Sequence, residues 1–232
     1  MHRPCEPLAW AGGTCSIWSV NPRARRIVDT AIDLAEKGGF EAVRLRDVAA
    51  EADVALGTLY RYFRSKEDML IAALNSEVEA LETRMQARPI LGSTPLERVD
   101  GFFRAATKGL MRRPRLARAI LRAAASGDHE LAEKVAAFHS RMSAMILTAM
   151  HASPASDNRP TKPAKTTASG TEVPIVTDAA SEEVAVAALL QHIWFSCLIG
   201  WAGGLMGQHE VIERMGTATA LFTRATQSKQ TT

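Results

Sequence analysis

Ala52-Asp53-Val54-Ala55-Leu56-Gly57-Thr58-Leu59-Tyr60-Arg61-Tyr62-Phe63, continued by Arg64-Ser65-Lys66, decides how the rest of the chain is read. A helix over about 56–62 puts Leu59 and Phe63 four residues apart on one face, with Val54 beneath them, and anchors the segment to neighbouring helices. The other face is polar and has one glycine. Gly57 leaves room for backbone to approach a phosphate, and Thr58 offers a hydroxyl and a methyl, the groups that meet base edges and thymine methyls. Arg61 extends that surface. The Tyr60 and Tyr62 phenols can hydrogen-bond phosphate oxygens, and Lys66 places an ammonium at the start of the next helix. Aromatic residues at helical spacing are more often core than nucleic-acid contacts. Here it is the combination within fifteen residues that points to a helix laid in a DNA groove.

Working upstream, Asn21-Pro22 reads as a helix cap followed by proline at the first position. The stripe Ile27, Val28, Ala31, Ile32, Ala35 then runs to Gly38-Gly39. A second helix over about Leu45–Ala52 carries Val48, Ala49 and Ala52 toward the first helix and Leu59. The result is a three-helix unit containing a helix-turn-helix. Arg44 and Arg46 add cations beside the polar face. Arg23, Arg25 and Arg26 crowd a helix N-terminus, where cations oppose the dipole at about 0.3–1 kcal/mol each. Two readings of them stand: an arm against the DNA backbone or minor groove, or a solvated basic start.

The order Gly39-Phe40, Arg46-Asp47-Val48-Ala49, Ala52-Asp53-Val54, Gly57-Thr58-Leu59-Tyr60, Tyr62-Phe63 and Ser65-Lys66-Glu67-Asp68-Met69-Leu70 resembles the TetR family of bacterial transcriptional regulators. The resemblance implies an all-α fold: an N-terminal three-helix helix-turn-helix DNA-binding domain followed by a helical ligand-binding and dimerisation domain. It implies DNA contact by Thr58, Tyr60, Arg61, Tyr62 and Lys66, to which the reading of the residues adds Arg44, Arg46 and Gly57. Three positions depart from the family pattern. Arg44 and Ala55 stand where a Ser or Thr cap is usual, and Asp53 replaces the turn glycine. Aspartate tolerates a left-handed turn better than most residues, so the fold is expected to survive.

With 232 residues, 47% of them hydrophobic, the chain can bury a sizeable core beyond this unit. A net charge of +3 is modest, so DNA affinity has to come from local arrangement and from two subunits acting together. Cys5, Cys15 and Cys197 fit neither a disulfide framework nor a zinc site, which suits a reducing cytoplasm. Residues 1–20 lack a continuous apolar stretch with a cleavage pattern and read as a disordered extension, or as the product of a start codon placed too far upstream.

From Ser65 onward the periodicity is helical. Leu70, Leu74, Val78, Leu81 and Met85 define one long helix ending before Pro89, the mechanical link between the two units. Further helices open at Thr94-Pro95, at Pro114 and near His129. Residues 153–181 turn to Pro, Ser, Thr, Ala and Lys without periodicity and read as a mobile loop. The expected domains are therefore 21–66 for DNA binding and 67–228 for ligand binding and dimerisation.

Val184 to Gln208 holds no Asp, Glu, Lys or Arg, long enough to nominate a membrane span. Gln191-His192 in the middle, crowded glycines at the end and the lack of flanking basic clusters argue against one. Such a helix can instead lie between a core and a partner subunit. Paired with the last helix, over about Glu210–Gln227, it predicts a homodimer through the two C-terminal helices, reading a palindromic double-stranded DNA operator.

Phe102, Phe103, Leu110, Met111, Ile120, Phe138, Met142, Met145, Trp194, Cys197, Leu198 and Trp201 are the candidates for lining a wide apolar cavity for a hydrophobic small-molecule effector. Within the TetR family, the run Ala52–Phe63, the segment Thr94-Pro95 through Met111-Arg112-Arg113-Pro114-Arg115-Leu116, and the spacing of Trp194, Ser196 and Trp201 are similar to the actinobacterial repressors of cholesterol catabolism. That similarity implies a steroid acyl-CoA thioester as effector. Arg112, Arg113, Arg115 and Arg118 then either meet its phosphates at a pocket mouth or form a solvated face. Metal-ligand spacing, a phosphate-binding glycine loop and a nucleophile elbow are all missing, and nothing calls for a cofactor, so the chain does not read as an enzyme. A ligand-binding or scaffold protein that has lost its DNA affinity is the alternative.

Overall fold

The computed structural model describes residues 21–152 and 178–229, and among these the regular structure is entirely helical. Helix α1 (Pro22–Gly38) starts as its sequence demands. The Asn21 side-chain oxygen accepts from the Arg23 and Ala24 amides at 3.1 and 3.3 Å, and Pro22 occupies the first turn. It ends at Gly39, whose φ of +71° is a left-handed conformation that glycine adopts without steric cost. A 3₁₀ turn (Phe40–Ala42) leads into α2 (Leu45–Glu51) and α3 (Leu56–Tyr62). Arg44 and Ala55 do precede these helices, and neither side chain makes a capping hydrogen bond. Asp53 has φ +49° in the turn between them, and the Arg26 guanidinium reaches its carbonyl at 3.5 Å. Arg26 thus braces the turn against α1, while Arg25 pairs with Asp29 at 3.9 Å.

Helix α3 is too short, and too rich in Gly, Thr and Tyr, to be stable alone. Tertiary burial holds it: Leu59 and Phe63 are fully buried among Ile27, Val28, Val48 and Ala52 of the same core. Each such side chain contributes about 1.5–3 kcal/mol through removal from water.

Helix α4 (Lys66–Ala87) follows, with the Ser65 hydroxyl accepting from the Asp68 amide at 3.1 Å. The body comprises α5 (Pro95–Leu110), α6 (Pro114–Ala124), a 3₁₀ turn (His129–Leu131), α7 (Ala132–His151), α8 (Asp178–Ala202) and α9 (Gln208–Lys229). The segment expected as one helix from His129 is split, because the Asp128 carboxylate caps a separate turn at the Glu130 amide. The expected loop is shorter at its C-terminal edge, since α8 already begins at Asp178. Alanines followed by Glu182 and Glu183 favour a helix start, as acidic groups oppose the positive end of the dipole. Residues 1–20 and the remainder of the expected loop lie outside the described residues.

α4 packs on α1 and α6, α6 packs also on α1 and α8, α7 packs on α5 and α8, and α9 closes over α5 and α8. The core is therefore continuous from α1 to α9. Phe102 and Phe103 meet edge to face at 5.3 Å, and Phe103 touches Trp194, whose indole N–H donates to the Thr107 hydroxyl at 2.9 Å. Arg98 is buried, and its guanidinium donates to the carbonyls of Ala149, Met150 and Gly92 at 3.0, 2.7 and 3.0 Å, tying the C-terminus of α7 to α5. By length and composition the 182–202 segment could cross a membrane. Its inner face is instead buried in the core at Ala187, Leu190, Trp194, Leu198 and Trp201. Val184 and Leu189 of α8, and Leu221 of α9, remain more than half exposed.

Candidate functional site

The polar face of α3 is open. Gly57, Tyr60 and Arg61 are exposed, as are Arg44 and Arg46 on and before α2, while Thr58, Tyr62 and Lys66 are half-buried. A Cβ on Gly57 would meet no atom within 4 Å, so the backbone there is free to be approached from outside. The two tyrosines differ in setting. Tyr60 is 52% exposed, whereas the Tyr62 hydroxyl accepts a hydrogen bond of 2.9 Å from the Asn21 side-chain amide. The same Asn21 caps α1, so Tyr62 fastens the end of α3 to the start of α1.

Lys66 is not free either. Its ammonium lies 3.5 Å from the Glu41 carboxylate and 3.9 Å from the centre of the Phe40 ring. Arg122, from α6, reaches the same two groups, at 2.9 Å from Glu41 and 4.1 Å from the Phe40 ring. The Lys66 ammonium, aided by Arg122, holds the Glu41 carboxyl below the usual carboxylate range. Two further ion pairs join the units, Arg113 to Glu36 at 2.7 Å and Arg64 to Glu130 at 3.0 Å, while Arg113 to Glu77 at 3.5 Å and Lys134 to Asp68 tie α4 to the rest of the body. Arg115 donates to the Lys37 carbonyl at 2.6 Å, at the carbonyl end of α1.

In the body, Leu110, Phe138, Met142, Trp194 and Leu198 come together around a cavity whose walls also include Leu74, Val78, Leu81, Ala106 and Leu121. The wide cavity expected from composition is not open, because this space measures about 30 Å³, on the scale of one water molecule. Phe102, Phe103, Met111, Ile120, Met145, Cys197 and Trp201 do not line it and are packed as core. Their large side chains fill the space between helices instead of ringing a void. Burial also pushes the Cys197 thiol pKa up, disfavouring the thiolate. Among the described residues no cluster of His, Cys, Asp or Glu could hold a metal ion.

Sequence reasoning missed the roles of Glu41, Phe40 and Arg122, because Arg122 lies about 80 positions from the other two and shares no pattern with them. It did single out Arg113, Arg115 and Arg118, and their partners are all different. Arg113 makes ion pairs, Arg115 grips a carbonyl, and the Arg118 guanidinium lies 4.9 Å from the Trp201 ring.

A helix-turn-helix unit with an open polar recognition face, joined through one long helix to a larger helical body, is the build of a DNA-binding regulator. Residues 27–73 match the model for bacterial regulatory proteins of the tetR family, and residues 92–165 match the tetracyclin repressor-like C-terminal domain. The chain belongs to the TetR family. It is 34% identical over 200 residues to the HTH-type transcriptional repressor KstR of Rhodococcus jostii (strain RHA1), spanning 86% of this chain and 82% of that protein. With the KstR of Mycolicibacterium smegmatis it shares 31% over 200 residues, 86% of each chain. The fold is similar to that of a TetR transcriptional regulator from Rhodococcus sp. RHA1, with TM-score 0.68 at 22% identity, covering 86% of this chain and 94% of that one. As a member of this family of transcriptional regulators, the protein is not an enzyme.

Proposed function

We propose that the protein is a repressor that binds a palindromic operator as a homodimer and is released by a large apolar ligand of the steroid or fatty acyl-CoA thioester class. The observation that carries the DNA half of this reading is the exposed face of α3, with Gly57, Tyr60 and Arg61 outward while Leu59 and Phe63 lock the helix from behind. Thr58 and Arg61 read base edges. Tyr60, Lys66, Arg44 and Arg46 grip phosphates. Residues 21–66 act as the DNA-binding unit and 67–228 as the ligand-binding and dimerisation unit.

The dimer reading rests on the exposed Val184, Leu189 and Leu221 of α8 and α9, apolar groups that a second copy would cover. Two short recognition helices about 34–36 Å apart would then read two half-sites. Likeness to repressors named KstR supports the sign of the effect. The tight cavity of about 30 Å³ means that a steroid-sized ligand must displace Met142, Leu198 and their neighbours. That displacement is transmitted through α4 and α6, which both pack on α1. Work at this site takes place on DNA in the cytoplasm, and α8 serves as core and interface rather than as a membrane span.

Fluorescence anisotropy of the purified protein on DNA upstream of its own gene, against scrambled DNA, tests the reading. Specific, salt-sensitive binding that a steroid acyl-CoA releases is the expected result. Equal affinity for both DNAs would refute the operator assignment, and specific binding without release would refute the ligand.

A further inference from the structure

Between the carbonyl end of α1 and helices α6 and α8 lies a groove of about 760 Å³. Lys37, Arg115, Arg118 and Arg122 stand on its walls, with no carboxylate among the lining residues. Among the described residues, no carboxylate forms an ion pair with Lys37, Arg115 or Arg118 anywhere. Arg122 has Glu41 as its counter-charge, but gathering Lys37, Arg115 and Arg118 beside it with no carboxylate of their own is unfavourable unless an anion completes the set. Three of the four are arginines, whose planar guanidinium groups suit paired phosphate oxygens. Arg118 and Arg122 lie over the rings of Trp201 and Phe40, at 4.9 and 4.1 Å from the ring centres. None of the walls comes from α2 or α3, so the groove is separate from the DNA-reading face.

The rest of the lining is apolar. Leu121, buried to 1%, is on the wall of both this groove and the small cavity in the body. Leu121 is therefore a wall common to the cationic groove and the apolar interior. We propose that this groove binds the phosphate-bearing end of the effector, with Lys37, Arg115, Arg118 and Arg122 as its anion contacts and Leu121 as the partition its apolar body passes. The choice of a phosphate-bearing effector rests on the ligand reading above.

Occupancy would also be communicated to DNA. Glu41 is shared between Arg122 and Lys66. An anion that draws Arg122 into the groove leaves Glu41 to Lys66 alone, holding that ammonium away from a DNA phosphate. The ligand thus lowers DNA affinity through one carboxylate.

Isothermal titration of the full chain with coenzyme A, inorganic pyrophosphate and phosphate-free pantetheine tests the site without DNA. Coenzyme A and pyrophosphate bind and pantetheine does not. The double variant Arg115→Ala/Arg118→Ala loses at least about tenfold in coenzyme A affinity, while Lys108→Ala, exposed on α5 and outside the groove, loses none. Thermal melts of each variant separate lost binding from lost folding. An unchanged affinity in the folded double variant, or equal binding of pantetheine, overturns the site.

In the anisotropy assay, coenzyme A weakens DNA binding within the roughly 5–150-fold range of ordinary allosteric coupling. Glu41→Gln keeps coenzyme A binding and abolishes that weakening, and an undiminished effect in this variant overturns the coupling. Because the titration needs no operator and no steroid, it decides the groove even where the release experiment fails. Release by a steroid thioester with an anion-blind groove would leave the effector reading standing and remove this one.

Discussion

Tyr60 and Tyr62, two residues apart on α3, are expected to respond oppositely to loss of a hydroxyl. In Tyr62→Phe the Asn21 side-chain amide loses the acceptor it holds at 2.9 Å across a partly buried contact. A hydrogen bond of this kind contributes about 0.5–1.5 kcal/mol net. For a domain of roughly 150–250 residues, each kcal/mol moves the midpoint by about 2–4 °C, so Tm should fall by about 1–6 °C. Asn21→Ala should cost more, because it also removes the cap of α1, worth about 0.5–2 kcal/mol. In that background Tyr62→Phe should add nothing further.

Tyr60, 52% exposed, makes no such contact, so Tyr60→Phe should leave Tm in place. It should instead weaken operator binding by about 0.5–1.5 kcal/mol per contact, roughly 2–12-fold. The salt slope should stay unchanged, because a neutral phenol releases no counterion. Thermal melts followed by circular dichroism and anisotropy on operator DNA read the two effects separately. A Tyr62→Phe protein with wild-type Tm, or a Tyr60→Phe protein that melts early and binds normally, would refute the assignment of one tyrosine to positioning and the other to contact.

Lys66→Met should reduce the slope of log affinity against log salt by about 0.9 for each protomer's lost phosphate contact; a slope equal to wild type in a salt series would remove Lys66 from the interface. Arg98→Met deprives two carbonyls at the end of α7 of charge-assisted donors, each bond worth about 1.5–3 kcal/mol. Urea unfolding should therefore show a loss of about 3–6 kcal/mol, and a loss below about 1 would contradict the capping role. Burial, with His192 stacked at 5.0 Å and only partly offset by the Gln191 amide, pushes the His139 pKa below 6.5. The folded state therefore favours neutral His139, and its contribution is present above pH 6.5 and lost as pH falls below it. His139→Gln should flatten the decline in Tm between pH 7.5 and 5.5; an identical decline in both proteins would exclude the imidazole. Cys197, buried with its thiol pKa raised, should react with a thiol reagent far more slowly in folded than in urea-unfolded protein, and equal rates would show that α8 opens readily.

The helix-turn-helix was legible because everything that makes it is local. A cap with proline, a four-residue apolar spacing and an aspartate able to take φ +49° act within a few residues of one another, and such interactions leave a periodic trace in sequence. The body helices were legible for the same reason, down to the prolines that open α5 and α6. The ligand residues were less so. Large apolar side chains at helical spacing look alike whether they fill a core or ring a cavity, and only packing showed Phe102, Phe103 and Ile120 to be fill, while Leu74, Leu81 and Leu121 line the space.

The sequence by itself determined that this chain is helical, that residues 56–62 present a polar face suited to DNA, and that 184–208 is apolar enough to need cover. Tertiary structure alone decided that Tyr62 is a fastener, that Lys66 and Arg122 share Glu41, and that four cations from α1 and α6 surround one groove. Those pairings join residues 25, 41 and 81 positions apart. Their geometry depends on how α6 is laid against α1, which no local spacing encodes.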